Sequence, residues 1–143
     1  MFIGEYKYNL DSKNRLAMPS KFRKLFKEGA VITKGLDNCL FIYTSKEWSK
    51  LMEKLASLPI SQAKSRAFSR LMLAGAMDVS LDGQGRVVLP DYLKQFASLN
   101  KKVVLAGLYN RLELWDEKLW SKYQRTSEKD SNEIAEGLVD LGI

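Results

Sequence analysis

The sequence predicts an α+β fold made of two tandem copies of one small unit. The first observation behind this prediction is a repeated motif: the stretch from Asp11 to Arg15 returns from Asp82 to Arg86, and each copy precedes a proline, Pro19 or Pro90. The second is the order of local patterns around the motif, because in both halves short alternating segments typical of strands give way to helical spacing. A self-similar period of this size indicates a duplicated structural unit.

The two copies stay aligned beyond the motif, with one residue of length difference placed between Pro19 and Gly35. The matched residues after it are Gly35 with Gly107, Asn38 with Asn110, Leu40 with Leu112, and Trp48 with Trp120. A unit of about 50 residues buries only a small core alone. We therefore expect the two units to pack together or intertwine, and the chain to form a homo-oligomer.

The repeated motif is predicted to form a hairpin turn between two strands. Asp82-Gly83 is a strong hairpin signal, because Gly adopts positive φ at little cost. Gly85 stands where the first copy has Asn14, and Asn is one of the few other residues that adopts the left-handed region readily. The Asp that opens each motif can accept hydrogen bonds from main-chain N–H groups across the turn. The Arg that closes it is expected near the tip.

In the first half, short apolar segments between turn residues predict strands at 3–10, 15–18, 30–33 and 40–43. Pro19 is predicted to open a helix, and Ser45 to cap a later one. The apolar face of the first helix comprises Phe22, Leu25 and Phe26, and the stripe of the second comprises Trp48, Leu51, Met52 and Leu55. Pro59 ends that helix, and Ser61 can cap the next. The apolar face of this next helix comprises Ala63, Ala67, Phe68, Leu71 and Met72.

The second half repeats the pattern, with strands predicted at 78–81, 86–89, 102–106 and 111–115. Pro90 opens a helix with Leu93 and Phe96 inward, and Asp116 caps a helix with an aromatic stripe. A short terminal helix is predicted around Ile134. The predicted division of the chain is a first unit at 1–58, a linking helix at 59–74, a second unit at 75–125 and a C-terminal tail at 126–143.

Composition excludes several classes of function. The chain has one cysteine, Cys39, and no histidine, so an intramolecular disulfide, common zinc sites and histidine-based catalysis are excluded. No stretch offers a nucleophile–base set, and Gly83-Gln84-Gly85 lacks the spacing of a nucleotide-binding fingerprint. We therefore expect no enzyme activity, no metal site and no cofactor, and expect Cys39 to pack near a turn. Apolar runs too short for a membrane span, and the lack of a signal-peptide pattern, predict a cytoplasmic protein without a membrane partner.

Charge is unevenly distributed along the chain. The net charge of +6 combines residues 1–72, with 14 Lys and Arg against 6 Asp and Glu, and residues 73–143, with 9 against 11. Seven basic residues lie from Lys7 to Lys27, with Asp11 as the one acid among them. Such asymmetry indicates either a polyanionic partner for the first unit or a solvated basic face, and charge alone leaves both open.

The chain resembles the MraZ family of bacterial regulators, which are built from two tandem AbrB-like, swapped-hairpin units. The resemblance rests on the two D-x-x-x-R motifs with their prolines, on the opening 2–6 and on Gly75-Ala76, and it covers residues 1–125. It implies small β-barrel units with flanking helices, and a ring-shaped homo-oligomer associated with the nucleoid. It also implies binding to direct repeats of double-stranded DNA in the promoter of the division and cell-wall gene cluster.

The resemblance further implies that Arg15 contacts DNA, and Arg86 holds the matching position in the second motif. From chemistry alone, an Arg at a hairpin tip can donate to O6 and N7 of one guanine. Asn14 is predicted to contact adenine or a phosphate. Phosphates are the predicted partners of four lysines: Lys7, Lys13, Lys21 and Lys24.

The other motif residues are predicted to shape the turns: Asp11, Asp82, Gly83, Gly85 and Arg86. For each Asp–Arg pair the alternative to DNA contact is a plain structural ion pair. We favour that alternative for Arg86, because the charges near it in sequence nearly balance, and DNA contact for Arg15, because its neighbours are strongly basic. A competing function for the whole chain is an oligomeric scaffold that binds protein partners through Trp48 and exposed helices and nucleic acid only incidentally.

Overall fold

The computed structural model describes residues 1–143 as an α+β fold, which confirms the predicted class. The strands are β1 (Phe2–Asn9), β2 (Arg15–Ala17), β3 (Ala30–Lys34), β4 (Leu40–Thr44), β5 (Met77–Val79), β6 (Arg86–Val88), β7 (Lys102–Tyr109) and β8 (Leu112–Asp116). The α-helices are α1 (Ser45–Ala56), α2 (Ala63–Ser69), α3 (Asp91–Phe96), α4 (Glu117–Lys129) and α5 (Ser131–Glu136). Shorter helical turns lie at Ser20–Phe26 and Val139–Leu141, both 3₁₀, and at Arg70–Ala74, which is a π-helical turn. None of the helices has the length and apolar character needed to cross a membrane.

The two halves of the chain share one sheet. Its strand order is β1-β7-β8-β4-β3-β5, so the first strand of each half pairs with a strand of the other half, β1 with β7 and β5 with β3. A separate two-stranded ribbon, β2-β6, also takes one strand from each half. The units therefore intertwine, which is one of the two arrangements expected from their small size.

The predicted hairpin across each repeated motif is wrong in its strand pairing. β1 and β2 flank the first motif, yet β1 pairs with β7 and β2 pairs with β6. The turn itself is closed, because the N–H of Asp11 donates to the carbonyl oxygen of Arg15 at 3.3 Å. Local sequence sets the turn, whereas the strand partner depends on which apolar faces are buried together across the two halves.

Equivalent positions of the two halves meet at two places in the fold. Leu16 pairs with Val87 in the ribbon, and Phe41 pairs with Glu113 where β4 meets β8. Antiparallel strands centred on equivalent residues have local two-fold symmetry. The two repeated turns are therefore related in space by an approximate two-fold axis, as well as being similar in sequence.

Strand register corrects one part of the repeat alignment. The repeat makes Ile42 in β4 equivalent to Leu114 in β8. Ile42 pairs with Ile32 and Leu114 pairs with Leu105, so Ile32 is equivalent to Leu105. Counted along the strands, this relation makes Lys34 the counterpart of Gly107. The predicted match of Gly35 with Gly107 is therefore wrong by one residue.

The main core lies between the ribbon, the first 3₁₀ helix, α3 and one face of the sheet. Leu16 and Val87 enter it from the ribbon, and Phe2 contributes from β1. The ring of Phe2 contacts Phe22 and Phe26 of the 3₁₀ helix, with centroid distances of 4.9 and 5.6 Å. A smaller cluster on the opposite face of the sheet includes Val31, Phe41, Tyr43, Trp48 and Trp115. Both faces of β3 and β4 are thus covered, which explains why these strands have nearly continuous apolar sequences.

The helix after Pro19 differs from the prediction in type. It is a 3₁₀ helix, and its tighter turn buries Phe22 and Phe26 but leaves Leu25 46% exposed. The prediction that Leu25 shares the buried face is therefore wrong, because it assumed α-helical spacing.

Two of the three predicted helix caps are also corrected. Thr44 rather than Ser45 caps α1, since its side chain accepts the N–H of Glu47 at 3.2 Å. α2 begins after Gln62 without a side-chain cap, so the predicted cap at Ser61 is wrong. Asp116 does cap α4, as predicted, by accepting the N–H groups of Lys118 and Leu119.

Much of the apolar surface in the link and the tail is exposed. Of the apolar face predicted for the linking segment, Met72 is buried, whereas Phe68 remains exposed. α4 continues to Lys129, beyond the predicted end of the second unit. The tail then forms α5, which confirms the short terminal helix. Its exposed apolar residues are Ile134, Val139, Leu141 and Ile143.

Candidate nucleic-acid interface

The first repeated turn is built around the carboxylate of Asp11. Its Oδ1 accepts the main-chain N–H groups of Lys13 and Arg15, each at 2.9 Å. Its Oδ2 accepts Nε–H of Arg15 at 2.5 Å. Asn14 has a φ of 57°, which confirms the left-handed conformation predicted at this position. One carboxylate therefore sets the bend and holds the guanidinium beside it.

The second turn repeats this arrangement around Asp82. Oδ1 of Asp82 accepts the N–H groups of Gln84 and Arg86, and Oδ2 accepts Nε–H of Arg86, all at 2.9 Å. Gly85 adopts a φ of 74° where the first turn has Asn14. The two motifs thus fold into the same local structure, as the sequence predicts.

Hydrogen bonding lowers the pKa of both carboxyl groups. For Asp11 the main-chain N–H of Arg15 is the largest cause, and the guanidinium of Arg15 and the N–H of Lys13 add to it. These bonds outweigh the loss of hydration and bring the pKa of Asp11 to about 2. The pKa of Asp82 is also lowered, chiefly by the N–H of Arg86. Both carboxyl groups are therefore ionised at neutral pH.

The two motif arginines lie on the outward face of the β2–β6 ribbon. Leu16 and Val87 are buried in the core, so strand alternation places Arg15 and Arg86 on the opposite side. Arg15 stands opposite Val88, which is two residues along β6 from Arg86. The arginines are thus diagonal neighbours, a relation that puts their backbones about 7–8 Å apart. Val88 is 57% exposed on the same face.

Main-chain bonds fix each turn to the other half of the chain. The N–H of Leu89 donates to the carbonyl oxygen of Asn14, and the N–H of Met18 donates to that of Gly85, both at 2.9 Å. These bonds continue the ribbon past its last paired residues on each side. The two turns are therefore held in place relative to the ribbon and to each other.

The side chain of Asn14 is engaged by α3. Its Nδ2 donates to Oδ1 of Asp91 at 3.1 Å, and its Oδ1 accepts Nζ of Lys94 at 2.9 Å. Both polar atoms of Asn14 thus have partners in the second half. Each atom keeps one further donor or acceptor, so the predicted contact with adenine or a phosphate would use the capacity that Asp91 and Lys94 leave free.

The interleaved fold places the basic 3₁₀ helix (Ser20–Phe26) beside the second turn. Nε of Arg23 donates to the carbonyl oxygen of Met18 at 3.1 Å, and the guanidinium lies against Gly85, where a β-carbon would overlap it. Lys27, just after the helix, lines a cleft with Gly83 and Gly85. The prediction favoured Arg15 over Arg86 because the residues near Arg15 in sequence are basic. In the structure two of those basic residues, Arg23 and Lys27, lie at the second turn, so this reason does not distinguish the two arginines. The roles of Arg15 and Arg86 themselves stay predictions.

The four predicted phosphate-binding lysines occupy separate positions. Lys13 is exposed at the tip of the first turn, and Lys7 is exposed on β1. Lys21 lies over the ring of Tyr6, 5.0 Å from its centroid. Lys24 lines a cleft with the first residues of the chain, at the start of β1, whereas the first turn follows the end of that strand. The structure therefore brings only Lys13 of these four into the turn that holds Arg15.

Sequence reasoning missed three residues that lie at the turns or between them: Arg23, Val88 and Lys94. One signal was available, because Arg23 follows Arg15 by the same eight residues that separate Lys94 from Arg86. The repeat therefore marks Arg23 and Lys94 as equivalent positions. Their contacts with the opposite turn follow only from the pairing across halves, which spacing does not reveal.

Two comparisons with known proteins agree on a family. The chain matches the model of the family described as "MraZ protein, putative antitoxin-like" over residues 1–71 and again over 72–141. It is 48% identical over 143 residues to a protein named transcriptional regulator MraZ from Halothermothrix orenii. Proteins of the same name from Clostridium acetobutylicum and Natranaerobius thermophilus are 47% and 46% identical over 143 residues. In all three cases the match covers 100% of both chains.

The fold and the paired turns define a class of duplicated α+β proteins that carry two D-x-x-x-R turns on one ribbon. The consecutive matches over both halves confirm the duplication inferred from the repeated motif. The chain belongs to the MraZ family.

Proposed function

We propose that the chain is a sequence-specific, DNA-binding transcriptional regulator, as the names of its relatives suggest. The observation that supports this most is the pair of arginines, Arg15 and Arg86, on the outward face of the β2–β6 ribbon. A two-stranded ribbon is one of the elements that the major groove of B-DNA admits. Arginine is the side chain that most often reads guanine there, because it can donate to O6 and N7 together.

Arg15 is the proposed base-reading residue, as the family resemblance implies. Its Nε is held by Asp11, while its terminal amino groups make no hydrogen bond within the chain. A guanidinium already restricted to one orientation loses less side-chain freedom when it binds. Exposed Val88, opposite Arg15, offers apolar surface suited to a thymine methyl group.

The remaining predicted contacts position the duplex. Lys13 at the turn tip is proposed to contact a phosphate beside Arg15, and more distant phosphates are proposed for Lys7, Lys21 and Lys24. Asn14 is proposed to contact adenine or a phosphate with the donor and acceptor that its partners on α3 leave free. Arg86 is proposed mainly to hold the second turn in shape through Asp82.

The proposed operator is a set of direct repeats in the promoter of the division and cell-wall gene cluster, as the family resemblance implies. Direct repeats require subunits that face the same way, as in a head-to-tail ring. Repeats spaced by about one helical turn, ~10 base pairs, would present the same groove to successive subunits. The proposed location, for a DNA partner of this kind, is the cytoplasm at the nucleoid.

Exposed apolar residues away from the ribbon support self-association into such an oligomer. They lie in the linking segment and in the tail: Ile60, Phe68, Leu73, Ile134, Val139 and Leu141. The same residues favour the competing function, an oligomeric scaffold with protein partners, but the prediction that such partners contact Trp48 is wrong, because Trp48 is buried. Native mass spectrometry of the purified protein measures the number of subunits, and a monomer at micromolar concentration would exclude the ring.

The DNA-binding proposal is tested by comparing Arg15→Ala with wild type. The probes are a duplex of the chain's own upstream region and a scrambled duplex at matched salt. Loss of one bidentate guanine contact should weaken cognate binding roughly 5–150-fold per subunit and reduce the preference for the cognate duplex. Arg125→Ala, which removes an exposed arginine from α4, is the matched control and should bind as wild type does. Equal affinity of wild type for both duplexes would favour the scaffold, and tight cognate binding by Arg15→Ala would exclude Arg15 as the reader.

A further inference from the structure

We propose that the cleft between the basic 3₁₀ helix and the second turn binds a phosphate of the DNA backbone, with Arg23 as its main contact. The inference rests on the proposed function, since duplex DNA supplies the phosphate. It assigns the second turn a contact of its own, made by a residue that comes from the first half of the chain.

Arg23 is held in a conformation suited to phosphate binding. Its Nε donates to the carbonyl oxygen of Met18, and its guanidinium lies against Gly85. Its two terminal amino groups make no hydrogen bond within the chain. A fixed guanidinium with two unused amino groups can donate two parallel hydrogen bonds to phosphate oxygens.

The walls of the cleft leave room and positive charge for an anion. Lys27 adds a second cation, against the carboxylate of Glu28. The carboxylate of Asp82, also in the wall, is already paired with Arg86. At Gly83 no atom beyond its own residue and its two chain neighbours lies within 4 Å of the place where a β-carbon would be. A phosphate can therefore approach the backbone of the second turn closely.

The equivalent position at the first turn is already occupied by contacts within the protein. There Lys94, the counterpart of Arg23, donates to Asn14, which also bonds to Asp91. The approximate two-fold axis thus relates one turn whose neighbouring cation is engaged to another whose neighbouring cation is available. A subunit with two identical turns could bind DNA equally well in either orientation along the duplex. The difference between the turns makes the two orientations distinct, so each subunit can bind in one of them. Direct repeats require such a direction.

Both turns are within reach of one duplex. They lie at the two ends of the same ribbon and are fixed by the mutual bonds of Leu89 to Asn14 and of Met18 to Gly85. A duplex that lies on the outward face and meets Arg15 therefore also passes the second turn. In this arrangement Arg15 reads a base and Arg23 sets the position of the backbone.

Two variants test the assignment by different means. Arg23→Gln removes the charge, and Gly85→Asn keeps a residue that tolerates the turn, as Asn14 does, while its side chain displaces Arg23. Arg125→Gln, which removes the charge of an exposed arginine on α4, is the matched control and should bind as wild type does. Binding is measured to the upstream duplex and to the scrambled duplex over a range of salt, and thermal melting checks folding. Both variants should weaken binding to the two duplexes by a similar factor and reduce the salt slope by about 1, because a phosphate contact is independent of sequence.

Each other result overturns the inference in a distinguishable way. If Arg23→Gln and Gly85→Asn bind as wild type does while Arg15→Ala loses cognate binding, the phosphate site is wrong and the proposed function stands. If wild type binds neither duplex, both proposals fail. A loss confined to the cognate duplex would make Arg23 a base contact. Should Arg23→Gln fail to fold, Gly85→Asn and Lys27→Gln decide, the second of which removes the charge of a side chain that makes no hydrogen bond within the chain. Wild-type affinity of both variants for both duplexes would exclude the cleft.

Discussion

The main-chain N–H of Leu89 donates to the carbonyl oxygen of Asn14 at 2.9 Å, and this bond ties the first turn to the second half of the chain. The reciprocal bond from Met18 to Gly85 ties the second turn to the first half. Neither turn has its full set of hydrogen-bond partners within its own half. Since the ribbon and the sheet are also shared, the two halves depend on each other for folding.

Leu16→Ala is expected to destabilise both halves together. Leu16 is fully buried at the centre of the ribbon, opposite Val87, and removing a buried leucine side chain usually lowers the free energy of unfolding by about 2–5 kcal/mol. Urea unfolding at fixed protein concentration should show one transition at a lower midpoint. Val88→Ala, a truncation on the exposed side of the same ribbon, should stay within about 0.5 kcal/mol of wild type. Two separate transitions in wild type would contradict the mutual dependence of the halves.

Low pH should destabilise the folded chain at the first turn, over a pH range that is determined by the pKa of Asp11. Its pKa is lowered to about 2, whereas an unfolded Asp has a pKa of about 3.9. A lowered pKa stabilises the folded chain at pH values above the unfolded value, and this stabilisation is lost as pH falls through 4 towards 2. In NMR, the carboxyl carbon of Asp11 should titrate near pH 2, and Asp11→Asn should reduce the dependence of the urea midpoint on pH in that window. A titration midpoint near pH 4 would show that the turn bonds do not hold the carboxylate.

Features that depend on nearby residues could be predicted from the sequence, and features that depend on the other half could not. Asp11 specifies the turn through local hydrogen bonds, and Asn14 does so through a left-handed conformation. The predictions of both features were therefore correct. The partner of β2 depends on burying Leu16 against Val87, which lies far away in the chain. For the same reason, the pairing of Asp11 with Arg15 was predicted, but the position of Arg23 beside the second turn was not.

Cys39 should be unreactive in the folded protein. Its side chain is fully buried, and its thiol donates to the carbonyl oxygen of Leu36 at 3.1 Å. Burial raises the pKa of this thiol far above its usual value, so almost no thiolate forms at pH 8. Ellman's reagent should therefore label the native chain very slowly and label one thiol per chain in denaturant. Ser12→Cys, which adds a thiol at the exposed tip of the first turn, is the positive control. Labelling of native wild type as fast as that of the control would contradict the burial of Cys39.

Asn14 combines a backbone function and a side-chain function that two substitutions separate. Its φ of 57° lies in the left-handed region, which Gly adopts freely but which costs a residue with a β-carbon roughly 1–2 kcal/mol. Asn14→Ala should therefore be less stable than Asn14→Gly by about 1 kcal/mol in urea unfolding, although both lose the bonds to Asp91 and Lys94. If Asn14 also reads adenine, Asn14→Gly should lose about 1–3 kcal/mol of preference at one base pair of the operator. Single-base-pair variants of the upstream duplex measure that preference. An unchanged preference would restrict Asn14 to bridging the first turn and α3.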